Sequence, residues 1–220
     1  MEVIKRVNVF CGHYGSGKTN VAVTFAKTLA AQGKKVVVCD LDIVNPYYRT
    51  KDSEEDLARL GIELLSSPFA SSNVDLPALP SSFYRIVEEK SSYFVLDVGG
   101  DDRGALALGR FVPAMLEENN YNMFLVVNFL RPLSRTVSDV MGVMDEITAA
   151  CGVRFTAVIN NTNLGAETTP DVVYNGYQQA LDLSKACGLP IAYNTVERMV
   201  SSKVNLPNLL PLTLQKRPID

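Results

Sequence analysis

A mostly parallel β-sheet flanked by helices on both faces, an α/β architecture, is what this sequence predicts. Three observations carry that expectation. Segments that read as strands alternate with segments that read as helices along the whole chain. Most strand segments are unbroken apolar runs, such as the KVVVC of Lys35 to Cys39, as strands buried on both faces require. Polar groups stand at the ends of several of those runs: a Gly-rich loop, Asp40 and Asp42, Asp97 and Asn160. Parallel sheets bind ligands at that edge, beyond the carboxyl ends of their strands.

Taken in order, Val7 to Cys11 reads as a buried strand leading into the Gly-rich loop. In Thr19 to Gln32, Val21, Phe25 and Leu29 recur at four-residue spacing beside Ala22, Ala26 and Ala30, a helix closed by Gly33. Lys35 to Cys39 is the next strand. Asn45 to Asp56 is polar, carries Pro46, and reads as an exposed loop entering a helix. Ile62 to Leu65 is a short strand and the Ser- and Pro-rich Ser66 to Ser82 a loop. Phe83 to Lys90 reads as a helix, Tyr93 to Leu96 as a strand, Gly104 to Asn119 as helical and Met123 to Val127 as a strand. Between Ser134 and Cys151, the residues Val137, Val140, Met141, Met144, Ile147 and Cys151 form one apolar stripe, the mark of an amphipathic helix. Phe155 to Ile159 is a strand, Asp171 to Cys187 a helix stopped by Gly188, and Pro190 to Tyr193 a last short strand. With no internal repeat and no low-complexity linker, residues 1–220 are expected to form a single domain.

The 220 residues suffice for one sizeable core, 47% of them being hydrophobic. A net charge of −3 speaks against a surface built to coat nucleic acid. No apolar run is long enough to span a bilayer, and the short, charged start, Met1 to Arg6, does not read as a signal peptide. A cytoplasmic protein is expected. Its cysteines, Cys11, Cys39, Cys151 and Cys187, form no CxxC pair and are expected as free buried thiols. The single histidine, His13, excludes a multi-histidine metal site.

Gly12-His13-Tyr14-Gly15-Ser16-Gly17-Lys18-Thr19 is a full GxxxxGK[ST] match, placed between a strand and a helix. Such a loop turns successive backbone N–H groups toward one anion, and the following helix adds its positive end. Lys18 then offers a cation to the β- and γ-phosphates of a nucleotide, and Thr19 a hydroxyl to Mg²⁺. We therefore expect a P-loop NTPase fold binding ATP with Mg²⁺. Asp97, at the end of the strand YFVL, is placed to join the Mg²⁺ shell, and Gly99-Gly100 lets backbone approach the γ-phosphate. In Asp40-Leu41-Asp42 the carboxylates share one face of an extended chain. One is expected to orient a water or touch Mg²⁺, with Asp42 preferred as the one lying farther out. Two solvated turn carboxylates are the simpler alternative.

GHYGSGKT, VVVCDLD, VLDVGG and VINN, in that order, resemble the motifs of the MinD/ParA/CobQ-type P-loop ATPases of the SIMIBI class. That class also contains nitrogenase iron protein and several metal-centre chaperones. The resemblance implies a switch carboxylate near the attacking water at Asp42, a metal-binding Walker B aspartate at Asp97, and an adenine-reading asparagine at Asn160. A turn or cap role for Asn160 stays open. The resemblance also implies a nucleotide-sandwich homodimer, in which a signature lysine of the KGGxGK[ST] loop reaches the partner's phosphates. Here His13 holds the lysine's position and Tyr14 that of the first glycine, so the same fixed charge is missing. Arg49 and Arg103 are the candidate substitutes, with solvated surface charge as the alternative for each. Asp97-Val98-Gly99-Gly100 fits the DxxG pattern of GTPases as well. The guanine-reading NKxD is replaced by Asn160-Asn161-Thr162-Asn163, which favours ATP over GTP.

No cysteine pair is placed for an iron–sulfur cluster. Pro207, Pro211 and Pro218 exclude a continuous amphipathic membrane helix in Val204 to Asp220, and no basic cluster suggests DNA coating. Pro46, Tyr47 and Tyr48 offer a partner-binding patch, against local packing. The leading expectation is a Mg²⁺-dependent ATPase switch, with Lys18 and Asp42 catalytic, whose nucleotide state governs binding of a protein partner. The alternatives are an ATP-dependent small-molecule ligase or kinase of the CobQ/dethiobiotin-synthetase type, and a non-hydrolysing nucleotide-binding module.

Overall fold

The computed structural model of the chain describes residues 4–42, 50–66, 80–100 and 102–213. Within them, eight strands form one sheet: β1 (Val7–Cys11), β2 (Val36–Leu41), β3 (Glu63–Ser66), β4 (Tyr93–Val98), β5 (Tyr121–Val127), β6 (Ala157–Asn160), β7 (Ile191–Glu197) and β8 (Leu209–Leu212). Their order is β3-β2-β4-β1-β5-β6-β7-β8, and every pairing is parallel. The helices are α1 (Lys18–Ala31), α2 (Glu54–Arg59), α3 (Arg85–Glu88), α4 (Asp102–Gly109), α5 (Val112–Glu118), α6 (Val137–Cys151), α7 (Pro170–Cys187) and α8 (Arg198–Ser201).

The unbroken apolar strands serve two cores at once. Val7, Val9 and Cys11 of β1 face one side, where they pack with Leu108 of α4, Val140 and Ile147 of α6, and Leu183 of α7. Phe10 faces the other side, against Val21, Phe25 and Leu29 of α1. There Phe10, Phe25, Phe124 and Tyr193 stack as a tilted cluster with centroids 5.2 to 6.3 Å apart. The α6 stripe is present as expected, with Val140, Ile147 and Cys151 buried and Val137, Met141 and Met144 packed against the same core. Thr136 and Asp139 cap its start reciprocally, and Gly152 ends it in the left-handed conformation. Cys11, Cys39 and Cys151 are buried free thiols, and Cys187 is half-buried.

Gly104 to Asn119 is helical as expected, divided between α4 and α5 where Pro113 stands at the start of α5. Inside a continuous helix its ring would clash with the carbonyl four residues back, and it has no N–H to donate. The segment after Val204 also contains a strand, β8. Pro211 sits inside it, in register with Val196, while Leu210 and Leu212 are buried. A proline is tolerated there because β8 is an edge strand. Most of the Ser- and Pro-rich segment, residues 67–79, lies outside the described residues, as do Pro46, Tyr47 and Tyr48. No helix among the described residues is long and apolar enough to cross a membrane.

At the amino end of the sheet, Arg6 is buried and its guanidinium meets both carboxylate oxygens of Glu118 at 2.5 Å. It also donates to the carbonyls of Glu89 (2.9 Å) and Ile86 (2.8 Å), tying β1 to α3 and α5. Arg6, with Lys90, holds the Glu118 carboxyl down at about 2. The depressed value means that this pair stabilises the fold above the ordinary carboxylate range, and that its contribution fades as pH falls toward about 2. Glu118→Gln is expected to cost about 3 kcal/mol at pH 7, by leaving a buried guanidinium without its counter-charge. Urea unfolding of both proteins at pH 7 and near pH 3 checks this, the difference shrinking at the lower pH.

Candidate functional site

The carboxyl ends of β2, β4, β1, β5, β6 and β7 open onto one edge, and the polar residues named from the sequence gather there. β1 stops at Cys11 and the chain turns through Gly12 to Gly17 into α1. Gly12 and Gly17 are irreplaceable for steric reasons. Both have positive φ, 150° and 84°, and a Cβ would strike the Val126 carbonyl oxygen at the first and the Asn161 amide at the second. No side chain caps the first turn of α1, and no acidic residue occupies it, so its positive end is left to a ligand. Lys18 is buried against the loop, with Nζ donating to the His13 carbonyl at 3.3 Å. The His13 ring donates from Nδ1 to the Tyr14 carbonyl at 3.0 Å, while Tyr14 is exposed.

Asp97 lies in β4, wholly buried, in register with Phe10 of β1 and Asp40 of β2. Its Oδ2 accepts two hydroxyls, from Thr19 at 2.7 Å and from Thr50 at 2.9 Å. Its Oδ1 is buried with no hydrogen-bond partner among the described residues, and so is Ser16 Oγ of the loop. Burial pushes the Asp97 carboxyl up from 3.8 to about 6, and the nearby charge of Asp42 adds to the rise, while the Thr19 hydrogen bond and the Lys18 charge oppose it. The same strand then presses its continuation onto the loop: a Cβ at Gly100 would lie 2.7 Å from Tyr14 N and 3.0 Å from Gly12 O. Asp40 is a residue of β2, and it accepts from the Asp42 amide at 3.1 Å, bending the chain at the strand end. Asp42 is half-buried just beyond.

Asn160 is buried at the end of β6. Its Nδ2 donates to Asn194 Oδ1 at 3.0 Å, and its Oδ1 accepts from the amide and hydroxyl of Thr162 at 3.2 and 2.8 Å. The neighbouring Asn161 is the residue that touches the loop. Its Nδ2 donates to the Ser16 carbonyl at 2.6 Å, and its Oδ1 accepts from Thr195 at 2.6 Å. Arg131, after β5, donates from Nε to the Gly15 carbonyl at 3.0 Å. Asn161, Arg131 and Thr50 were not singled out by sequence reasoning. Only the Asn-Asn doublet carried a signal, since one of two consecutive residues at a strand end must face the loop. Arg49 and the Arg103 side chain lie outside the described residues.

These groups suit a polyphosphate and a hard divalent cation. The loop presents positive-φ backbone and an uncapped helix start to an anion. Thr19, Thr50 and Asp97 carry oxygens able to ligate a cation, and Asp97 Oδ1 is a buried acceptor without a hydrogen-bond donor among the described residues. No group of three or more His, Cys, Asp or Glu side chains that could hold a metal ion by itself gathers among the described residues, so any cation here would also draw on hydroxyls and on the phosphates.

Two outcomes follow from this geometry. The folded ligand-free protein holds the Asp97 proton up to about pH 6, whereas the unfolded chain releases it near 3.8. Its stability therefore falls as pH rises from about 4 to about 6, by about 3 kcal/mol at most. Asp97→Asn is expected to flatten that segment, read by denaturant unfolding of both proteins across pH 4 to 8. Gly100→Ala is expected to displace the loop, costing about 1–3 kcal/mol of nucleotide affinity by calorimetry.

A family model, described as the CobQ/CobB/MinD/ParA nucleotide binding domain, matches residues 11–167. No curated protein matches the chain. Among solved structures it is similar to the cell division protein FtsY of Thermotoga maritima, with TM-score 0.59 at 17% identity, covering 87% of this chain and 62% of that one. It is also similar to the signal recognition particle 54 kDa protein of Aeropyrum pernix in complex with GDP, with TM-score 0.55 at 16% identity, covering 88% and 42%. A nucleotide-binding protein of Archaeoglobus fulgidus in complex with ADP gives TM-score 0.50 at 15% identity, covering 90% and 84%. The chain thus spans about three fifths of the FtsY chain, and at these identities the likeness is one of fold. With the family model covering the loop, both carboxylate-bearing strand ends and the Asn-Asn turn, this chain belongs to the CobQ/CobB/MinD/ParA nucleotide-binding domain family, a SIMIBI-type P-loop protein.

Proposed function

We propose that this nucleotide-binding domain is a Mg²⁺-dependent ATP switch, which hydrolyses ATP and changes its affinity for a partner protein with nucleotide state. The observation that carries the proposal is the buried, half-satisfied Asp97 carboxylate, tied through Thr19 to the loop that ends in Lys18. Such a carboxylate is costly in the ligand-free protein and gains most from a ligand that brings a cation. Thr19 and Asp97 would hold Mg²⁺, with Asp42 nearby. When bound, that ion offsets the charge of the terminal phosphates. The loop amides and Lys18 orient the phosphates and stabilise charge that develops on the transferring group. Lys18 exchanges the His13 carbonyl for phosphate oxygens. Asp42 orients the attacking water from the end of β2.

The 160–163 turn bears on the base preference. Asn160 Oδ1 already accepts two hydrogen bonds, which leaves this amide one free hydrogen to offer a purine. No carboxylate follows in Asn161-Thr162-Asn163 to accept from a guanine amino group. A single N–H serves either purine, so the missing carboxylate is the feature that supports ATP. His13, in the signature-lysine position, is bonded to its own loop, which supports a switch whose trans contacts across a homodimer differ from the lysine-bearing members. The partner protein is expected at the strand-end edge, where nucleotide state is sensed. No feature supports nucleic acid as the partner.

Calorimetry with Mg²⁺ is expected to show ATP bound more tightly than GTP, with Lys18→Ala weakening ATP on the order of 100-fold. Asp42→Asn is expected to keep ATP binding while single-turnover hydrolysis falls on the order of 100-fold. Equal affinity for both bases would overturn the ATP assignment. Normal hydrolysis by the Asp42 variant would overturn the role given to that carboxylate.

A further inference from the structure

Thr50 is wholly buried, and its hydroxyl donates to Asp97 Oδ2 at 2.9 Å, beside the Thr19 hydroxyl at 2.7 Å on the same oxygen. Nothing in the loop motif calls for a second hydroxyl there. A hydroxyl that gives its proton to a carboxylate keeps its lone pairs for something else. Two such hydroxyls on one carboxylate oxygen therefore present acceptor capacity together, next to a carboxylate Oδ1 that is itself buried without a partner among the described residues. Oxygen acceptors gathered in a buried place, around a carboxylate whose Oδ1 has no donor among the described residues, suit a hard cation.

We infer that Thr50 is a second hydroxyl ligand of the divalent cation that accompanies the nucleotide, held in line by the same Asp97 oxygen that orients Thr19. This rests on the Mg²⁺–nucleotide assignment made above for the site. Thr50 begins a short 3₁₀ turn, Thr50–Ser53, that runs directly into α2, and Leu57 of α2 is buried in the α1-side core. Cation binding by Thr50 therefore fixes the start of α2 to the loop and to β4. The same bond provides a route by which the presence of cation is felt on the α2 side of the sheet.

The test compares nucleotide affinity with Mg²⁺ and with EDTA, by calorimetry on the full chain with ATP. Thr50→Val keeps the shape and removes the hydroxyl, while Thr50→Ser keeps the hydroxyl. The Mg²⁺ enhancement of ATP affinity is expected to fall at least about tenfold in Thr50→Val and to be retained in Thr50→Ser, with affinity in EDTA unchanged in both. A purely structural role would lower affinity equally with and without Mg²⁺, and that result overturns the inference, as does an unchanged Mg²⁺ enhancement in Thr50→Val. If Thr50→Val does not fold, amide hydrogen exchange on the natural chain decides. Added Mg²⁺ must slow exchange around Thr50–Ser53 beyond ATP alone, and no such slowing overturns the inference. Failure of the natural chain to bind ATP, or to respond to Mg²⁺ at all, would instead count against the proposed function.

Discussion

The buried carboxylate of Asp97 is the constraint around which the rest is arranged. A charge taken wholly out of water at the end of a central strand costs several kcal/mol unless it is paired. Here it is only partly served. Two threonine hydroxyls reach one oxygen, and the other has no partner among the described residues. Those two hydroxyls tie three separate pieces of chain to one atom: the first turn of α1, the turn before α2, and β4. The ligand-free protein thus stores an electrostatic deficit at the place where its phosphate loop begins a helix. Under the proposed function, a polyphosphate bound with a cation would offset that deficit.

The sheet makes this concentration of polar groups affordable. All strands point the same way, so their carboxyl ends share an edge and their amino ends share the opposite one. β1 lies between β4 and β5, which places the loop between Asp97 on one side and Arg131 and the β6 asparagines on the other. Both faces of the sheet are closed by apolar packing, and the aromatic cluster around Phe10 and Phe25 seats α1 directly behind the loop it extends. At the far end, the Arg6–Glu118 pair and its bonds to α3 carbonyls clamp the amino ends of the same strands. The site therefore rests on rigid elements rather than on loops alone.

Much of this was legible in the residues. The loop motif declares itself because only glycine tolerates the backbone at Gly12 and Gly17, and the strands declare themselves because burial on both faces makes most of their positions apolar. The break at Pro113 was legible in principle from proline's missing N–H. β8 was hidden because Pro211 argues against a strand unless it is known to lie at an edge, and edge position is a property of the whole sheet. Choosing between Asn160 and Asn161 requires knowing where β6 ends. Periodicity places both at the edge, but one residue of register decides which amide meets Ser16 and which turns to Asn194. Thr50 and Arg131 belong to no local pattern. They matter only because the fold carries them to Asp97 and Gly15, and such long-range contacts leave no mark on their own neighbourhoods in the chain.

The most direct measurement is thermal unfolding of the natural chain at pH 8 with ATP alone, with Mg²⁺ alone, and with both. If the Asp97 carboxylate waits for a cation delivered with a polyphosphate, the two together raise the midpoint by clearly more than the sum of their separate effects, and the excess grows with ligand concentration. An unchanged midpoint with ATP and Mg²⁺, and likewise with GTP and Mg²⁺, at millimolar concentrations would contradict the account.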